Sequence, residues 1–152
     1  MQQDVTAKLM DDVLTIASWS RQVVGAQLAE VDTINVLIGD GAAVLVPGVA
    51  AAINVSFNAL ITGAYIFEFD GTVGSVVVGI EKATYVVGGT PSFASIVASA
   101  PPTISSARYA EDTTLTGWTQ NIYRGDVLRF SITSASAIQR ILVALRIRRL
   151  EP

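Results

Sequence analysis

Glu68 and Asp70 stand two residues apart in "IFEFDGT", a spacing that puts two strand carboxylates on one face. About 7 Å between such groups is compatible with the paired acids of a glycosidase. The competing reading is a strand end entering a turn at Asp70-Gly71, which asks for no chemistry. Glu111 and Asp112 are adjacent and diverge in an extended chain, and Lys82 has no activating neighbour in sequence. The chain has no cysteine and no histidine, which removes disulfides, thiolate nucleophiles, Cys/His zinc sites and every Ser-His-Asp triad. The Arg124-Gly125-Asp126 tripeptide reads as a turn before a strand rather than an integrin ligand. Around Gly39-Asp40-Gly41 there is no alternation of oxygen donors of the kind a Ca²⁺ loop needs. No glycine-rich loop carries the Lys and Ser/Thr of a phosphate cradle. Neither an enzyme nor a cofactor is expected.

A chain of 152 residues fits one domain with a real core. It is 51% hydrophobic and only 15% charged, and its mean hydropathy is +0.50. So little polar surface predicts extensive subunit contacts. The longest uncharged stretch, Gly41 to Phe67, is broken by Pro47, Asn54 and Asn58. It falls short of the roughly 20 apolar residues of a spanning helix. The start "MQQDVTAKLMDD" lacks the basic cluster of a signal peptide. Neither a membrane partner nor secretion by that route is expected.

Two parts must position whatever the chain does. Residues 1–32 form an N-terminal arm, in which Met10, Leu14, Ala17, Val24, Leu28 and Val31 recur at helical spacing. Gly25 interrupts it, and "VLTIASWS" also suits a strand, so a helical or extended arm is expected. Residues 33–152 read as mainly β. Tyr65, Phe67 and Phe69 alternate with Ala64, Ile66 and Glu68, and Val76, Val78 and Ile80 share a face beyond the Asp-Gly turn. That pair predicts a hairpin. "VVGGTPSFASIVASAPPTISS" is loop-rich. Leu128, Phe130 and Ile132 alternate in the next strand. In the last, Ile141, Val143, Leu145 and Ile147 face inward, with Arg140, Arg146 and Arg148 opposite. Short strands without βαβ alternation predict an antiparallel β-sandwich, jelly-roll-like.

Trp118, in "EDTTLTGW", precedes a turn and a core strand. It is expected to plug the end of the sandwich, its indole N–H bonded to a loop carbonyl; a stacking platform for a sugar ring is the other reading. Charge is uneven. Residues 1–75 hold eight acids and two bases, residues 76–152 five acids and eight bases. A sequence pI near 4.8 without aromatic interleaving argues against nucleic acid. Either one strand simply exposes a basic face, or the acidic arm (Asp11, Asp12) meets Arg140, Arg146 and Arg148 of a neighbouring subunit through carboxylate forks.

The order "FEFDGTVGSVVVGIEKATY", "PSFASI", "APPTISSARYAEDTTLTGW" and "GDVLRFSITSASAIQRILVALRIRR" resembles a β-domain of structural proteins of tailed bacteriophages. The matching landmarks are Asp70, Gly74, Ser75, Val76, Lys82, Tyr85, Pro91, Leu115 to Trp118, Gly125, Asp126 and Ser134-Ala135, spread over roughly residues 60–150. The pattern departs at Gly79, where the family carries an acid, and before Phe57, where no landmark matches. The resemblance implies a virion protein. A chain starting at its own Met, without room for a stalk, is expected to be a capsid decoration (cement) protein, a homotrimer bound to the major capsid protein. Trp19 is then a plausible anchor in a partner's pocket. The alternative is a tail fibre or baseplate accessory bound to tail proteins.

Overall fold

The computed structural model describes residues 31–151. The segment 1–30 lies outside the described residues, and with it Asp11, Asp12, Trp19 and the expected helical or extended arm.

Among the described residues every regular element is a strand. They are β1 (Val31–Ile38), β2 (Gly48–Asn54), β3 (Ala59–Glu68), β4 (Gly74–Thr84), β5 (Ala94–Ser95), β6 (Thr103–Ala107), β7 (Tyr109–Asp112), β8 (Asn121–Ile122), β9 (Asp126–Ser136) and β10 (Ile141–Arg149). The first strand starts at Val31, so Asp32, expected at the end of the arm, is a strand residue. One sheet runs β1-β10-β3-β7, with β8 also on β3. The other runs β2-β9-β4-β5, with β6 also on β4. All ladders are antiparallel. The long strands β1 to β4 alternate between the sheets, and so do β9 and β10. This winding is a jelly-roll sandwich.

The alternation corrects one expectation. β3 and β4 are not a hairpin: they lie in opposite sheets, β3 between β10 and β7, β4 between β9 and β5. The turn between them carries the chain over the end of the sandwich. Both arrangements need the same period-2 pattern, because each strand buries one face in either case. What differs is whether the apolar faces lie side by side or opposed. Here they oppose. Val76, Val78 and Ile80 of β4 and Leu128, Phe130 and Ile132 of β9 meet Ile61, Ala64 and Ile66 of β3 and Val143, Leu145 and Ile147 of β10 in one buried cluster. Burying each of the larger side chains contributes about 1.5–3 kcal/mol. A register shift opposite Arg146/Ile147 leaves Thr62 outside the ladder, so Ile61 and Ala64 both point inward although they are three residues apart.

Glu68 closes the crossover. It was expected at an exposed strand end, yet it is fully buried. Its Oε1 accepts the Asp70 N–H at 2.6 Å and its Oε2 the Thr72 N–H at 3.0 Å. Arg108 Nε donates to Oε2 at 3.1 Å, while the Glu68 N–H donates back to the Arg108 carbonyl at 2.7 Å. A buried carboxylate is tolerable when its lone pairs are filled in this way. Glu68→Ala is expected to cost about 2–4 kcal/mol in urea unfolding, from unpaired N–H groups and the space left behind. Glu68→Gln should cost less, whereas Arg108→Ala, which leaves the buried carboxylate without its cation, should also be clearly destabilising.

Candidate partner-binding surface

The outer face of the first sheet gathers the residues suited to contact. Its register aligns Leu37 with Leu142, Leu142 with Phe67, and Phe67 with Tyr109, forming one apolar row across β1, β10, β3 and β7. Leu37 is 56% exposed, Tyr109 48% and Phe67 43%. Phe69 extends the row, stacked on Phe67 at 6.2 Å, and Tyr109 meets Phe67 edge-on at 6.4 Å. The next row holds Asn35, Ala144, Tyr65 and Glu111. Beyond it lie Arg146 beside Thr33 and Arg148 beside Val31. Exposed apolar and aromatic groups bordered by arginines are the composition enriched in protein–protein contacts.

Of the three arginines expected to meet a neighbouring subunit, Arg146 and Arg148 share an exposed face and Arg140 is paired within the chain. Arg146 and Arg148 project from β10, exposed, and neither has a carboxylate partner among the described residues. The Arg146 guanidinium lies 5.5 Å from the Tyr65 ring centre. Arg140 precedes β10 and is engaged within the fold: it forms a bidentate pair with Asp70, with Nε to Oδ2 at 3.1 Å, and lies over Phe69 at 4.7 Å. The Asp70 carboxylate raises the Arg140 pKa above its ordinary value. Asp32 pairs within the chain too, with Arg149 at 2.7 Å. The Thr33 N–H, and then Arg149, hold the Asp32 carboxyl below the usual carboxylate range.

The candidate catalytic groups are likewise taken up by structure. Glu68 and Asp70 serve the crossover and Arg140. Lys82 Nζ donates to the Asn121 carbonyl at 3.0 Å and pairs with Asp126 at 3.4 Å. Asp126, buried at the Arg124-Gly125-Asp126 turn, also accepts from the Thr84 hydroxyl at 2.9 Å and the Tyr123 N–H at 2.8 Å. Asp112 accepts the N–H of Leu115 and the N–H and hydroxyl of Thr114. The Leu115 N–H first, then the Thr114 hydroxyl, lower its pKa, so it is anionic at neutral pH. Among the described residues no cluster of three acids could hold a metal ion, and no helix is long and apolar enough to cross a membrane.

Trp118 is 8% exposed and belongs to the core cluster. Its indole Nε1–H donates to the Ala100 carbonyl at 2.9 Å, tying the "TGW" segment to the Pro-rich loop. Leu115 and Gly117 beside it adopt positive φ, the kink that turns the indole inward. Sequence reasoning missed the apolar row itself. The shared face of Tyr65, Phe67 and Phe69 was its signal, but the row exists only through the registers with β1, β10 and β7.

No family model matches this sequence, and no curated protein matches it. Among solved structures, the capsid of Ralstonia phage GP4 is similar at 12% identity and a TM-score of 0.46, over 81% of this chain and 86% of that one. The CBM22-1 xylan-binding domain of Paenibacillus barcinonensis Xyn10C is similar at 10% identity and 0.39, over 65% of this chain and 60% of the other. Infectious bursal disease virus, Gx strain, follows at 13% identity and 0.32, over 80% of this chain and 38% of that one. None of these likenesses transfers a residue role or a ligand to this chain.

Trp118→Ala is expected to lower stability by about 3–5 kcal/mol, as large aromatic truncations do. Trp118→Phe, which keeps the ring but loses the bond to Ala100, should cost about 1–2 kcal/mol. Thermal unfolding unchanged by either substitution would count against the plug and for a ligand contact.

Proposed function

We propose that this chain is a virion structural protein of a tailed bacteriophage, a decoration (cement) protein that sits on the head as a homotrimer and reinforces contacts between capsid subunits. The observation that carries the proposal is the row of exposed Leu37, Phe67 and Tyr109 flanked by Arg146 and Arg148 on a jelly-roll body. A face of this kind suits burial against another protein. The ordered landmarks over roughly residues 60–150 support the phage setting. Glu68, Asp70, Lys82 and Asp126, the groups that would otherwise suggest catalysis, are engaged in holding the fold. In this reading Arg146 and Arg148 pair with carboxylates of a partner, and the Asp11, Asp12 and Trp19 segment supplies further contacts, Trp19 as an anchor.

Bridging neighbouring capsomers adds binding energy to the assembled shell alone, so the shell gains heat resistance. Heads lacking the protein are expected to burst at lower temperature. Arg146→Glu with Arg148→Glu, both exposed, should leave the melting of the isolated protein unchanged and abolish its addition to heads. Deletion of residues 1–30 should leave the β-body folded and also prevent addition. Heads that are equally heat-resistant without the protein, together with lost adsorption to host cells, would overturn the cement reading and move the protein to the tail.

A further inference from the structure

The chain carries an apolar knob and an apolar hole that the surface described above does not use. The knob follows β4. Tyr85, Val86 and Val87 are 58%, 63% and 88% exposed, three consecutive large apolar residues on a turn closed by the Gly89 N–H to the Val86 carbonyl at 3.0 Å. Gly88 takes positive φ there. Such a run at a loop tip opposes solubility unless something covers it. The Arg124-Gly125 turn lies beside it, joined by the Tyr85 N–H to the Gly125 carbonyl at 3.2 Å. Arg124 is exposed and has no carboxylate partner among the described residues.

The hole opens between the two sheets, with Ala64, Ile66 and Ala110 on one side and Pro101 and Pro102 on the other. Its volume is about 160 Å³, and a cavity of about 150 Å³ takes a group as large as benzene. Asp112, whose register partner is the inward-facing Ala64, stands at its wall. It has no cation partner among the described residues. The hole has room for an apolar side chain of valine size, and Arg124 beside the knob is opposite in sign to Asp112 beside the hole.

The knob cannot fill the hole of its own chain. Pro102 is fixed beside Val78 by the Val78 N–H at 3.0 Å, and the knob begins after Thr84. Six residues of extended strand separate the two levels by about 20 Å.

We propose that Val86 and Val87 of one copy seat in the Ala64/Pro102/Ala110 hole of a second copy, with Arg124 facing Asp112. The contact specifies how the proposed homotrimer closes, and in that respect it rests on the preceding reading. Because two different surfaces meet, it is head-to-tail, and such a contact closes into a ring when the rotation permits.

The absence of cysteine makes the test clean. Val87→Cys and Thr103→Cys, the latter at the exposed rim of the hole, would be prepared separately and mixed under mild oxidation. The mixture is expected to give covalently joined chains, and either variant alone should give few. Val87→Asp should keep the melting temperature and weaken self-association at least tenfold in sedimentation. Cross-linking of Val87→Cys with itself at the yield of the mixture, or unchanged association of Val87→Asp, would overturn the contact. An oligomer that never cross-links between these positions overturns the contact alone, whereas a monomer at micromolar concentration overturns the contact and the trimer together. Cross-linking by a protein that does not add to heads leaves the contact standing and removes the cement role.

Discussion

The buried carboxylate of Glu68 is the constraint on which the sandwich depends. A jelly roll must send its chain repeatedly from one sheet to the other, and each passage leaves backbone groups without ladder partners. Glu68 satisfies two N–H groups of the β3–β4 passage and binds Arg108, which sits in the β6–β7 passage. Asp70, one turn on, binds Arg140 in the β9–β10 passage. In the β1–β2 passage Gly41 comes so close to Asp70 and Arg140 that an added Cβ would lie 3.1 Å from the Asp70 carboxylate. Four sheet-switching segments thus meet around two acids and two arginines at one end of the molecule. The opposite charges are satisfied locally, so these corners stay in place without a thick hydrophobic cap.

The same arrangement divides the charges into two classes. Asp32, Glu68, Asp70, Glu81 and Asp126 are each paired with a base of the chain. Arg129, for instance, is held by Glu81 at 2.7 Å and stacks over Phe93. Half-exposed pairs of this sort contribute little stability but fix neighbouring strands in register. Arg124, Arg146 and Arg148, with Glu111 and Asp112, have no ion-pair partner among the described residues. A contrast in charge between the two halves of the sequence is therefore in good part matched by pairs within the chain.

Strand faces were legible from sequence because β-branched residues at period 2 leave few alternatives: Val76, Val78 and Ile80 had to be buried together, as did Ile141 to Ile147. Pairing partners were not. An Asp-Gly turn after Phe69 fits a hairpin and a sheet crossover equally, and the deciding fact, that Glu68 is buried among crossover donors, depends on Arg108, forty residues away. The parity of Glu68 with Ala64 and Ile66 was a usable sign that an acid was heading inward. For the contact surface, the sequence showed the arginines of β10 but could not tell that Arg140 was occupied. That required knowing which corner Asp70 would reach. The bulge at Thr62 also shifted the phase of β3 midway, a change no periodic pattern announces.

The position of β10 bears on how the body comes into being. This last strand lies between β1 and β3, and the Asp32–Arg149 pair joins residues 117 apart in sequence. Until β10 has left the ribosome, β1 has no neighbour and β3 lacks one of its two long edges, so the apolar inner faces of the first sheet cannot close. Contacts of such range are formed slowly, because loop-closure entropy must be overcome before any of them stabilises the chain. Until residues 141–149 are in place the two sheets form an incomplete sandwich. Deletion of residues 141–149 would remove a central strand of a sheet rather than fray its margin.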